Sequence, residues 1–358
     1  MPTIFKYDGK DKFHTSRVLV SLFVILSIFI MPTGNSYADL QAPPKQILVI
    51  PSYNFDYKGC QWFLRSLMAE FAEPKPFKTT FQHENLQLSS HPSGRKYWER
   101  MAASLKLKYA YEKPDLIIVQ YKQALKFMLI YGKEIFGDVP VLFAGLSTEN
   151  YENEQLPKNY LGITTSYSTQ KNVELIIRNH PRIKRIYVVG DYSPVGKSIV
   201  NMTISEGAPF AGDVEFIPLA DLTFPELIAK LGTLKDDSVV MYQVMQRDAA
   251  GNIFVPAQAA IEIAKASRVP VYGMLDTYKG SGIIGGFLVD HELLGKRAAE
   301  IAINLLQNGA VPDKQIVAEP IGSYNFDARQ LNRWGIAENK LPVERHGNFP
   351  VCEVLAPS

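Results

Sequence analysis

The residues best placed to do chemistry in this chain stand directly after short apolar runs. Ser52, Tyr53 and Asp56 follow Ile47-Leu48-Val49-Ile50-Pro51; Gln120 and Tyr121 follow Leu116-Ile117-Ile118-Val119; Gly145 and Ser147 close the run that begins at Val139. Farther along, Asp191, Tyr192 and Ser193 follow the run ending at Gly190. Arg247 and Asp248 follow the segment 238–244, and Asp276 and Thr277 follow Val269-Pro270-Val271-Tyr272-Gly273. Tyrosine rings offer faces to a planar or apolar molecule, and the hydroxyl, amide and carboxylate groups offer oriented hydrogen bonds. Arg247 can clamp a carboxylate through two parallel bonds, or pair with its neighbour Asp248. This is a chemistry of recognition, with no nucleophile or acid–base pair singled out.

Local motifs for catalysis or metal binding fail on inspection. Gly190-Asp191-Tyr192-Ser193-Pro194-Val195-Gly196-Lys197-Ser198 resembles a nucleotide loop, but one residue too many separates the glycines. What survives is a helix start, with Ser193 as N-cap and Pro194 at the first helical position. Its free N–H groups suit a carboxylate, or no ligand at all. His291-Glu292 opens no zinc site, because Gly295 stands where the second histidine belongs. No Gly-x-Ser-x-Gly elbow and no Cys-x-x-Cys exist. The reading is therefore not an enzyme, with no cofactor and no metal; an exported enzyme on a two-lobe scaffold is the rival.

The elements that must position these residues alternate strand and helix. Apolar runs at 46–51, 115–120 and 139–145 read as strands buried on both faces, with a further strand at 78–88. Helices at 57–71, 94–111 and 121–131 separate them, which makes one βα-repeating lobe with a parallel sheet. A polar stretch at 147–160 leads to a second lobe. It has strands at 185–190, 214–218, 238–244 and 269–273, and helices at 169–179, 194–205, 224–234 and 256–267. A long amphipathic helix at 290–308 and a last strand at 315–321 complete an α/β fold of two Rossmann-like lobes. The expected lobes are 44–160 plus 283–321 and 161–282, then a tail, 322–358. Three crossings, near Tyr160, Gly282 and Pro320, would act as hinges, and open α/β sheets bind ligands at the C-terminal ends of their strands.

The N-terminus reads as an export signal. Lys6, Lys10, Lys12 and Arg17 precede an apolar run from Val18 to Met31, Pro32 and Gly34 break it, and Ser36-Tyr37-Ala38 offers a cleavage site after Ala38. The run is short against the roughly 20 residues that span a bilayer. Residues 1–38 hold four basic and two acidic side chains, a net of +2, and the whole chain is also +2. The remainder is near neutral, which argues against nucleic acid as a partner. Export places the protein in the periplasm. Cys60 and Cys352 are the only cysteines; they are a candidate disulfide in an oxidising compartment, with two unpaired thiols as the alternative.

Several segments in order resemble the periplasmic solute-binding proteins of ABC transporters with the type I two-lobe fold. The nearest branch also serves as the extracytoplasmic sensor of bacterial histidine kinases and diguanylate cyclases. The segments are 47–53 with Asp56-Tyr57, Pro114-Asp115-Leu116-Ile117-Ile118, 139–145, Arg247-Asp248-Ala249-Ala250-Gly251 and 269–273. Later come Gly285-Gly286, Phe326-Asp327, Arg329-Gln330-Leu331 and Trp334-Gly335-Ile336. The resemblance implies capture of a small organic solute, carboxylate-bearing or aromatic, between the lobes without catalysis. It also implies a membrane partner, either the permease of an ABC importer or a sensor kinase or cyclase. Pro51 and Gln120-Tyr121 depart from the histidine and the acidic or amide residues that relatives often carry there.

Overall fold

The apolar runs become the central strands of two parallel sheets. In the computed structural model, residues 43–89, 91, 94–146, 155–165, 168–309, 315–318, 321–342, 345–346, 349–350 and 352–355 are described. β1 (Lys45–Pro51) lies parallel to β3 (Leu116–Gln120), and Ile47, Leu48, Val49, Ile50, Leu116, Ile117, Ile118 and Val119 are fully buried. That burial follows from their place mid-sheet, with helices covering both faces. β2 (Thr79–His83), β4 (Val141–Leu146), β5 (Tyr160–Thr164) and β11 (Ile316–Ala318) complete the first sheet. Its order is β11-β5-β4-β3-β1-β2, every pairing parallel. The second sheet contains β6 (Arg185–Val189), β7 (Glu215–Leu219), β8 (Ser238–Tyr242) and β9 (Val271–Gly273), in the order β7-β6-β8-β9, again parallel.

Helices α1 (Lys58–Ala72), α2 (Arg95–Lys108) and α3 (Tyr121–Phe127) connect the first sheet's strands; α3 runs on through a π-turn at Met128–Gly132 into Lys133–Phe136. α4 (Thr169–Asn179), α5 (Pro194–Glu206), α6 (Phe224–Leu231) and α7 (Pro256–Ala266) do the same for the second. Their starts obey local capping chemistry. The Thr223 and Glu226 side chains form a reciprocal capping box on α6, and the Ser193 hydroxyl accepts from the Gly196 amide on α5.

Three corrections to the expected boundaries follow from strand pairing. β5, expected to open the second lobe, hydrogen-bonds to β4 and β11, so the chain leaves the first sheet only after Thr165. β10 (Gly285–Val289) pairs antiparallel with β12 (Gly322–Asp327), and Phe287 lies in the second lobe's core. The return to the first lobe therefore comes at Asp290, where α8 (His291–Asn308) begins and contributes Leu294, Ala298 and Ala302 to the first lobe's core. Last, residues 322–341 are not a tail. β12 is buried throughout, and Tyr324, Phe326, Leu331, Ile336 and Leu341 join the second lobe's core; α9 (Ala328–Arg333) carries Leu331. Backbone strands β13 (Arg345–His346), β14 (Phe349–Pro350) and β15 (Cys352–Leu355) follow, β15 pairing parallel with β12.

α8 seats directly on α1, because Gly295 lets the backbones approach. A Cβ there would come within 2.2 Å of the Phe63 carbonyl oxygen. Asp290 caps α8 by accepting from the Leu293 amide, and its other oxygen accepts from the Ser323 hydroxyl, which joins two of the connecting strands at one residue. Residues 1–38, the expected export signal, lie outside the described residues; among those described, no helix is long and apolar enough to cross a membrane.

Candidate functional site

Three tyrosines gather at the C-terminal rim of the first sheet. Ser52 ends β1 and fastens the rim: its hydroxyl donates to the Gln120 carbonyl and accepts from the Ala124 amide, each at 2.8 Å. Fully buried, with its only donor and one lone pair engaged by the backbone, Ser52 positions its neighbours. Tyr53 stands 5.1 Å from Tyr121 and 5.2 Å from Tyr57, measured between ring centres, at tilted or edge-on angles favoured by the ring quadrupoles. Tyr121 holds φ at +66°, a left-handed conformation that costs an aromatic residue about 1–2 kcal/mol. Gly145, itself at +76°, leaves room beneath that ring; a Cβ there would come within 3.1 Å of Tyr121 Cε1. Asp56 is exposed, and Ser147 lies outside the described residues.

His291 completes this group from the first turn of α8, with its ring 6.4 Å from both Tyr57 and Tyr121. Asp276, from the turn after β9, accepts from the His291 amide at 2.8 Å and sits 2.5 Å from His291 Nδ1. Both side chains are almost wholly buried. An ionised carboxylate there keeps the proton on Nδ1. Gly59 leaves the space that His291 Nε2 occupies.

Burial dominates the electrostatics. It pushes the Tyr53 phenol up, against hydrogen bonds from Gln246 and Ser89, and pushes Tyr121 well above the ordinary value, with Tyr57 adding to the effect. Both remain neutral phenols across the physiological range. Cys60 is a free, buried thiol raised to about 12 by burial and then by Asp56. It lies in the first turn of α1; the side chain of Cys352 lies outside the described residues.

The second sheet's rim is built differently. Asp191 accepts from the Ser193 amide (2.8 Å), the Ser193 hydroxyl and the Gln246 amide (3.3 Å). Asp248 accepts from the Phe224 amide (3.0 Å) and from the Asn252 amide (2.8 Å) and side chain (3.0 Å). Asp248 is therefore a loop fastener bound to Asn252, where the sequence suggested a partner in Arg247. Arg247 is exposed, and its carbonyl accepts from the Tyr192 amide at 2.9 Å. Tyr192 is also exposed, with the Lys197 ammonium 4.0 Å from its ring centre.

Among the described residues, eleven buried side-chain polar atoms lack a hydrogen-bond partner, and six of them stand just past or at strand ends: Asn54 Oδ1, Gln120 Nε2, Tyr121 Oη, Thr277 Oγ1 and both polar atoms of the Gln243 side chain. Asp276 and His291 bridge the rims through their hydrogen bonds, and the His291 ring lies 6.4 Å from that of Tyr121. Each buried polar group left unpaired costs about 1–3 kcal/mol, so their clustering needs a cause. Sequence reasoning missed His291 and Gln243 as site residues. Gln243 carried the same signal as Gln120, an amide on the last turn of an apolar strand, but read as strand interior.

Two lobes with parallel sheets, between which the chain passes after Thr165 and again at Asp290, match the type I periplasmic-binding-protein fold; the crossing expected at Pro320 lies outside the described residues. Solved structures share this fold. A ligand-free, open substrate-binding protein with adhesive properties from Clostridium difficile superposes with TM-score 0.59 at 18% identity, over 87% of this chain and 99% of that one. An ABC domain from Streptococcus pneumoniae in complex with L-Trp gives 0.57 at 15% identity, over 82% and 96%. A xylose-binding transcription activator gives 0.52 at 12% identity, over 78% and 67%. No protein-family model and no curated protein matches the sequence.

Proposed function

We propose that this chain captures a small organic solute between its two lobes and releases it unchanged, as the extracytoplasmic binding protein of an ABC importer. One observation carries the reading: buried, unpartnered hydrogen-bonding groups from both rims converge around three tyrosines. Such an arrangement suits non-covalent recognition by groups held ready on rigid strand ends. The export signal at 1–38 and cleavage after Ala38 belong to this proposal, as does a permease partner. The lobes are taken as 45–165 with 291–318, and 168–289 with 321–341, so closure turns on the segments about Thr165, Asp290 and Pro320.

A second reading keeps the binding event and changes the recipient. The fold also occurs in a transcription activator described as xylose-binding, which supports a receptor whose closed shape is the signal. Its partner would be a membrane histidine kinase or diguanylate cyclase. Native mass spectrometry of the freshly purified protein tests what both readings share. A bound small molecule, released intact on denaturation, is the expected result; a chemically altered product points to the enzyme instead. Small-angle scattering with and without that molecule should show a more compact particle when it is bound.

A further inference from the structure

The unpartnered groups also bear on which solute fits. Resting on the binding reading above, we propose that the site takes an uncharged, flat nitrogen heterocycle of the nucleobase or nucleoside class. Gln120, Gln243 and Thr277 are each at least nine-tenths buried, and all their unpartnered atoms are neutral donors or acceptors. They form one set. Gln243's carbonyl accepts from the Tyr278 hydroxyl, which places it beside the turn carrying Asp276 and Thr277. Asp276 holds His291 Nδ1 at 2.5 Å, and the His291 ring lies 6.4 Å from that of Tyr121, which follows Gln120 directly. An amide presents a donor and an acceptor in one plane, the pattern that adjacent N–H and C=O or ring-nitrogen groups on a heterocycle edge complement. The tyrosine group supplies ring faces for the flat body.

Charge argues against a zwitterion. The carboxylate of Asp191 is taken up by Ser193 and Gln246, and that of Asp276 by the backbone and ring of His291. Neither is left over for an ammonium group. Of the cations on this rim, Arg247 is exposed rather than set among the buried amides, and Lys197 is paired with Asp221. Burying an amino acid's charges against neutral amides alone is costly.

Calorimetric titration and thermal-shift measurements on the purified full chain test the proposal. The solutes are adenine, hypoxanthine, uracil, inosine and uridine, set against L-tryptophan, L-tyrosine, myo-inositol and xylose. Saturable binding of at least one heterocycle, and of none of the amino acids or polyols, is expected. Gln120→Glu and Gln243→Glu keep side-chain shape but remove the amide donor, and each should weaken that heterocycle roughly tenfold or more. Binding of an amino acid or polyol alone overturns the heterocycle while the solute-binding reading stands. So does a co-purified molecule of another class, or heterocycle binding unmoved by both variants in folded protein. If no solute binds, none co-purifies and ordered water alone fills the site in a crystal, both readings fall.

Discussion

Carboxylates and amides at the two rims are used in opposite ways. On the second, Asp191 and Asp248 are saturated by backbone amides and by Ser193 or Asn252, so they hold loops and helix starts in place. On the first, only Ser52 is saturated in that manner, while Gln120 and Tyr121 beside it keep unpaired polar atoms and Tyr121 sits in a strained conformation. A carboxylate at a strand end is therefore a weak indicator of a ligand, because local amides claim it first. An amide or phenol too far from any amide to be claimed is a stronger one. The contrast ranks the candidates: Tyr53, Gln120, Tyr121 and Thr277 rise, whereas Ser52, Asp191, Ser193 and Asp248 become supports.

Asp276 is the exception that joins the rims, and its loss should have the largest effect. Asp276→Ala leaves a buried amide and a buried imidazole N–H of His291 unpaired, which should cost about 3–5 kcal/mol in denaturant unfolding. Asp276→Asn keeps one acceptor and should cost less. A loss below about 1 kcal/mol for the alanine variant would mean that water reaches His291 and that the link is decorative.

A second histidine provides the next contrast. His291 faces a carboxylate, whereas His180 faces the neutral phenol of Tyr272 at 2.9 Å, and burial lowers its pKa from 6.5 to about 4. Protonation in the unfolded chain is therefore easier than in the folded one. Stability from neutral His180 is complete above pH 6.5 and falls as the pH drops from 6.5 towards 4. Acidification over that window should lower stability by at most about 3 kcal/mol through this residue. Melting curves between those pH values, compared with His180→Gln, read it directly; the variant should flatten the slope, and an unchanged slope refutes the assignment.

Much of this architecture was legible in the sequence because buried parallel strands are continuous apolar runs that little else imitates. β1, β3, β4, β6 and β8 announce themselves that way. β12 does not: Gly322-Ser323-Tyr324-Asn325-Phe326-Asp327 is half polar, and it is buried because Ser323, Asn325 and Asp327 find partners inside the fold. Membership of β5 was illegible for another reason. Which sheet a short apolar strand joins depends on contacts with β4 and β11 that local pattern does not encode. The site residues divided likewise. Side-chain type located the rims, but whether Asp248 finds Asn252 or Arg247 is decided by loop geometry.

Paired substitutions at the two rims sharpen the comparison at a smaller scale. Gln120→Leu removes an unpartnered buried amide and should raise stability by about 1 kcal/mol while weakening solute capture. Ser193→Ala removes the cap of α5 and should cost about 1 kcal/mol while leaving capture unchanged. Chemical denaturation and titration of the same preparations give both numbers. If both variants moved stability down and capture down together, the division between supporting and recognising side chains would be lost.

Arg247→Ala carries the smallest expected change and probes the second rim most directly. The guanidinium is exposed, and Asp248, its neighbour, is held by Asn252 and the Phe224 amide instead. Its backbone contact with Tyr192 survives truncation, because the carbonyl does the accepting. Stability should therefore shift by no more than about 0.5 kcal/mol, and affinity for an uncharged solute should stay within about twofold. A carboxylate-bearing solute clamped on closure would instead lose roughly 1.5–3 kcal/mol of binding with this one truncation. The sign and size of that single measurement separate an arginine that only borders the site from one that reaches in as the lobes meet.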